Sequence, residues 1–373
     1  MPENCQIIQI VPRMTPMHCG VSDGCLLLAR ELEAEFGIKT AIAVLNAKQT
    51  HDVDLPIRYG SPGQLLAMCL DLSEGEPGSL LVHLSGYGYS ADGAPTLLAE
   101  ALENVKADGR FRIAVFFHEL FATGMPWRSA FWYSQRQKRA VRRIAGACDL
   151  AVTNTRKYVD WLKRETMWQT AAPIQYMPMF SLVGEALQPV PLAEREPVMV
   201  VFGLSGTRLN AFRELATSGN LLKQLGVREI VDIGPEFEAP GEVEGIPVKR
   251  MGVLTAAEIA RQFSRATFGF LSYSRMPLAK SGVFAGYCAH GVIPVIGRHF
   301  ARQTDGLEDG VHVLGAHTAR AAQERGLESC SVAAWRWYAG HRLHDHAALF
   351  ARWMGESTEG MESAPQSTGR KHE

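Results

Sequence analysis

No apolar run in the sequence is long enough to span a bilayer. The opening MPENCQIIQIVPR has no basic stretch ahead of its short apolar run, so no signal peptide is expected. The seven cysteines (Cys5, Cys19, Cys25, Cys69, Cys148, Cys288, Cys330) never form C-x-x-C, and their number is odd. That excludes a disulfide frame and a cysteine zinc site, and predicts free thiols in a reducing, cytoplasmic setting. Excess charge is also missing. The net charge is −1, which excludes a global attraction to nucleic acid, so any electrostatic function must be local. No G-x-S-x-G, Walker loop or H-E-x-x-H occurs. His341, His344 and His346 lack a clear set of carboxylate or cysteine partners, so they read as a solvated helix face and no metal is expected. One local absence points towards a ligand: from Ile259 to Thr304 there is no Asp or Glu, while Arg261, Arg265, Arg275, Lys280, Arg298 and Arg302 all fall there.

What is present is enough apolar material, 46% of 373 residues, for two cores. Residues 6–11 read as a first strand, the loop 12–21 carries Arg13, His18 and Gly20, and Ser22 reads as the cap of a helix ending at Gly37. A strand over 40–45 completes a βαβ opening, which predicts a parallel sheet. Further strands are expected over 79–85, 112–117, 150–153 and 174–177, with helices over 94–105 and 134–148. Segment 183–197, with Pro189, Pro191 and Pro197, reads as a linker between an N-terminal domain (1–182) and a C-terminal domain (198–330). The second half repeats the pattern: strands over 198–202, 229–233, 267–272 and 292–296, helices over 210–224, 258–264 and 283–290. Helices over 331–354 are expected to pack back across the hinge, and 355–373 reads as a disordered tail.

The stretch 267–296 carries the strongest local signal. Ser281 caps a helix and Gly282 permits close approach to the backbone just past a buried strand, so free N–H groups and a positive dipole end coincide beside Lys280. His118-Glu119 ends a buried strand, the place where open α/β sheets collect ligands. There a histidine can donate to a sugar hydroxyl or move a proton, or serve only structure. GYGYSADG at 86–93 departs from G-x-G-x-x-G and reads as either a ligand loop or a tight turn. The segment 126–143 holds Arg128, Arg136, Lys138, Arg139, Arg142 and Arg143 beside Trp127, Phe131, Trp132 and Tyr133. It suits either an anionic membrane surface or plain solvent.

Two βα arrays, a Pro-rich linker and terminal helices resemble the GT-B glycosyltransferases, and in detail their large retaining family 4. The residues that carry the resemblance are the loop ending at Gly20, Phe117-His118, VFGLSGTR at 201–208, MGVL at 251–254 and SGVFAGYCAHGVIPVI at 281–296. The resemblance implies an α/β fold of two Rossmann-like domains facing a cleft, with a nucleotide-diphosphate sugar as donor substrate and no separate cofactor. It implies a glycan or lipid-linked acceptor, peripheral membrane contact through 126–143 at most, and no nucleic acid partner. By position, His118 and Glu119 would be catalytic. Gly20, Arg208, Lys280, Ser281, Gly282 and Val283 would hold the donor phosphates, and Gly203, Val253 and Leu254 the nucleotide. The sequence departs from the family where two glutamates usually stand, since Leu278 and Gly286 occupy those positions.

Overall fold

The computed structural model describes residues 6–14, 20–46, 53–122, 129–166, 172–272, 277–297 and 305–355, without the side chains of 129–132, 166, 322 and 325. The expected tail from 356 on, the thiols Cys5 and Cys19, His18, Trp127, Arg128, Arg275, Arg298, Arg302 and the side chains of Phe131 and Trp132 lie outside that description.

The first half builds one parallel sheet. Its strands are β1 (Ile7–Val11), β2 (Thr40–Val44), β3 (Ile57–Tyr59), β4 (Gly78–Leu84), β5 (Phe111–Phe117), β6 (Leu150–Thr153) and β7 (Ile174–Tyr176). They are arranged in the order β3-β2-β1-β4-β5-β6-β7. The central strands are near-continuous apolar runs because helices cover both faces. On one face Ile8, Ile10, Leu80 and Val82 meet Leu98, Leu102 and Ile144. On the other, Ile7, Leu81 and Phe116 meet Leu28 and Leu32 of the helix Gly20–Phe36 and Phe350 of the C-terminal helix Leu343–Gly355.

The second half builds a separate sheet from β8 (Glu196–Phe202), β9 (Glu229–Ile233), β10 (Glu242–Val243), β11 (Ile246–Gly252), β12 (Ala266–Leu271), β13 (Ile293–Ile296) and β14 (Leu314–Gly315). Its order is β10-β11-β9-β8-β12-β13-β14, and only the β10–β11 pair is antiparallel. The helix Gly282–Ala289 seats tightly on β12. A Cβ on Gly269 would stand 2.6 Å from the Tyr287 ring, and the Tyr287 hydroxyl donates to Val200 O at 3.1 Å.

The segment 177–186 passes from one sheet to the other along this helix. Met179 N–H donates to Ala279 O at 2.8 Å and Ala186 N–H to Ala289 O at 3.2 Å. The terminal helices divide between the halves: Leu327–Tyr338 packs on Gly282–Ala289, and Leu343–Gly355 packs on Gly20–Phe36. Glu185 ties them to the crossing segment, accepting from the Tyr338 hydroxyl at 2.5 Å and from Leu343 N–H at 2.8 Å.

Several expectations change here. Ser22 lies inside the helix that begins at Gly20, and its hydroxyl donates to Arg13 O at 2.8 Å, tying down the loop after β1. The helix expected over 210–224 is two pieces, Ser205–Leu215 and Leu221–Gln224, broken where Gly219 and Asn220 take positive φ. Of the terminal histidines only His344 is solvated, with its ring beside Glu31. His341 and His346 are buried, and His346 lies between the Phe116 and Phe180 rings with Nε2–H donating to Pro178 O at 2.9 Å. The stripe that includes Ala347 and Phe350 faces the first sheet, and His346 shares that face. Among the described residues no group of His, Cys, Asp and Glu is arranged to hold a metal.

Candidate functional site

The carboxyl ends of adjacent strands gather most of the expected residues. In the first sheet, β1, β4 and β5 are neighbours and lead into the loop before Gly20, the turn at Gly86 and His118-Glu119. In the second, β11, β9, β8 and β12 are neighbours. They lead to Val253-Leu254, Gly234, Gly203 and the turn at Lys280. Gly203 needs its glycine because φ is +136°, and a Cβ there would stand 3.9 Å from Val283 Cγ2, so the turn after β8 lies close to the start of the helix Gly282–Ala289.

The two halves meet at Lys280. Its ammonium donates to Glu119 Oε1 at 2.8 Å, with the Lys280 side chain 9% exposed and that of Glu119 43% exposed. Ser281 caps the following helix, its Oγ accepting from Phe284 N–H at 3.1 Å. Among the described residues the N–H groups of Gly282 and Val283 have no hydrogen-bond partner, as the first donors of a helix, and the dipole adds a positive end there. Gly20 and Gly282 both face Leu182: a Cβ at either would stand 3.6 Å and 3.0 Å from its Cδ1. The first turns of two helices from opposite halves therefore flank one side chain of the crossing segment.

Arg208 is in a different situation. It is 1% exposed, its Nη1 donates to Asp232 Oδ1 at 2.7 Å, its Nη2 to Pro235 O, and its guanidinium lies over Phe237. It clamps the turn after β9 and is engaged by the protein itself. The positions of the missing glutamates are filled by packing. Leu278 is fully buried, and a Cβ on Gly286 would stand 3.2 Å from both Phe263 and Val183.

Distance along the chain misjudged two charge patterns. Arg261 pairs with Glu258, Arg265 with Glu196 and Glu229, and Lys280 with Glu119, so acids from outside 259–304 neutralise its described cations. On the helix Ser129–Ala147, Arg136 pairs with Asp92, Arg142 with Glu165 and Arg143 with Glu103 and Glu100. Three of the expected cations are thus engaged by acids, while Lys138 lies over the Phe121 ring. The GYGY run is a packed turn: Cβ atoms on Gly86 and Gly88 would stand 2.5 Å from Gly93 O and 2.7 Å from Pro12.

Sequence reasoning missed a buried polar ladder behind His118. Gln9 on β1 is in register with Leu81, and His83 on β4 with Phe116. With a side-chain period of two, Gln9, His83 and His118 share one face. Gln9 Oε1 lies 2.7 Å from His83 Nε2, and His83 Nδ1 lies 3.1 Å from His118 Nε2. Burial lowers the pKa of His83 to about 3. Burial, then the nearby His83, His346 and Lys280, holds His118 well below the usual histidine range. The available signal was Gln9 and His83 themselves, polar residues inside strands otherwise written IIQIV and GSLLVHL.

No family model matches the chain, and no curated protein matches it. Solved structures do. An alpha-glucosyltransferase in complex with UDP-glucose and DNA containing an abasic site is 14% identical, with a TM-score of 0.60 over 95% of this chain and 99% of its own. The alpha,alpha-trehalose 6-phosphate synthase from Burkholderia multivorans is 12% identical, with a TM-score of 0.57 over 98% of this chain and all of its own. WaaG, a glycosyltransferase involved in lipopolysaccharide biosynthesis, is 10% identical, with a TM-score of 0.52 over 96% of this chain and all of its own. Two separate parallel-dominated sheets, joined by a crossing segment and matched from end to end by these glycosyltransferases, give this chain the GT-B fold.

Proposed function

We propose that the protein transfers a glycosyl group from a nucleotide-diphosphate sugar to a glycan or lipid-linked acceptor. The observation that carries the reading is the Lys280–Glu119 contact between the two halves, set at a capped helix start. A diphosphate there would take Lys280 from Glu119 and accept from Gly282 and Val283 N–H. As the bond between the sugar and the diphosphate breaks, negative charge grows on the leaving phosphate, and those donors oppose it. The likeness to enzymes solved with UDP and UDP-glucose supports a uridine donor as the first probe.

Leu278 and Gly286, packed where carboxylates usually stand, favour a second reading: a nucleotide-binding subunit of the same fold without turnover. Calorimetry with UDP and an assay of UDP release from UDP-glucose separate the two. Lys280→Ala should weaken UDP binding about ten- to a hundredfold, the value of a lost charged hydrogen bond of roughly 1.5–3 kcal/mol. Unchanged affinity would remove Lys280 from the site. A wild type that binds no nucleotide would overturn the donor assignment, and binding without any release would leave the subunit reading.

A further inference from the structure

The bonding in the ladder behind His118 has one solution. Gln9 Nε2 donates to Cys25 O at 3.2 Å, which turns Gln9 Oε1 towards His83. An amide oxygen only accepts, so His83 Nε2 carries the hydrogen. A neutral His83 then has a bare Nδ1, and that nitrogen faces His118 Nε2. His118 Nε2 must therefore donate, which leaves Nδ1 as the acceptor nitrogen of its ring. Among the described residues no hydrogen bond reaches that Nδ1. The ring is further held by Phe116, stacked 4.2 Å away, and the backbone by His118 N–H donating to Leu84 O at 3.0 Å.

We propose that Gln9 and His83 are positioning residues that lock His118 as the Nε2–H tautomer, so that His118 meets the donor sugar as a hydrogen-bond acceptor at Nδ1. The sugar would then have to present a hydroxyl that donates. The role rests on the glycosyl-transfer reading, whereas the tautomer itself stands apart from it. A histidine free to choose its tautomer could donate or accept. This one is committed by a chain of bonds reaching back to Cys25 O.

The test is the ¹⁵N spectrum of histidine-labelled protein with and without UDP, together with UDP-glucose turnover, for wild type, His83→Asn and His83→Leu. Asparagine puts an amide oxygen close to where Nδ1 was and keeps the acceptor; leucine removes it. The expected wild-type spectrum shows His118 protonated on Nε2 alone, retained in His83→Asn and lost or mixed in His83→Leu. Turnover should fall about tenfold or more in His83→Leu with KM for UDP-glucose little changed, because a wrong tautomer costs catalysis rather than binding. It should recover in His83→Asn. A wild-type His118 protonated on Nδ1 would overturn the proposal whether or not the protein turns over. So would a His83→Leu protein that keeps both the Nε2–H signal and full turnover. Absent turnover with the Nε2–H signal in place would instead count against the glycosyl-transfer reading alone.

Discussion

Acid should loosen the C-terminal helix through His346. The side chain is completely buried, Nε2–H donates to Pro178 O, and Nδ1 has no hydrogen-bond partner among the described residues. Protonating Nδ1 would bury an unpaired charge between Phe116 and Phe180. Burial accordingly lowers the pKa from 6.5 to about 4. Because the folded value lies below the unfolded one, the proton binds the unfolded chain first. The stabilisation is complete above pH 6.5 and is lost as pH falls towards 4. At roughly 1.36 kcal/mol per pKa unit, His346 alone removes roughly 2 kcal/mol of stability between pH 7 and pH 5. His83 and His341, both lowered to about 3 by burial, add losses of the same sign. The three together approach the whole stability of an ordinary domain, about 5–15 kcal/mol. The assay is urea unfolding at pH 7 and pH 5 for wild type and His346→Gln, whose amide can keep the bond to Pro178 O. The difference between the two pH values should shrink by roughly 2 kcal/mol in the variant. An equal pH dependence in both proteins would refute the assignment of that proton to His346.

Other outcomes follow from the site. Glu119→Ala frees Lys280, and because Glu119 is 43% exposed the gain is screened, so UDP should bind only about two- to fivefold tighter by calorimetry; weaker binding would mean that Glu119 itself serves the ligand. Gly286→Glu, which restores the residue type the family carries there, should lower stability by several kcal/mol in thermal melts, since the carboxylate enters between Phe263 and Val183; a gain in UDP affinity without destabilisation would contradict that packing. Arg208→Ala should cost about 3–5 kcal/mol in urea unfolding by leaving Asp232 buried and unpaired; a near-neutral result would show that the pair is not closed in solution.

The sequence by itself determined the alternation of strands and helices, and through it the fold. Apolar runs such as IAVFF and FGFL have one stable place, inside a sheet covered on both faces, and short strand–helix–strand spacing forces parallel order. It also determined the helix start at Ser281, because a serine ahead of the first helical residue caps it through its own side chain and needs no distant partner. What only the tertiary structure decided was the identity of partners. The acid-free span looked unopposed along the chain, yet Glu119, Glu196 and Glu229 reach its cations from other elements. Arg208, expected beside the donor phosphates, has Asp232, 24 residues away, as its carboxylate partner. The histidine ladder joins residues 74 and 35 positions apart, a relation set by the order β1-β4-β5 and the registers between those strands. Local propensity and pattern fix elements because their causes lie within a few residues. Charge pairing and tautomer choice depend on which strands become neighbours, and that is settled only when the sheets assemble.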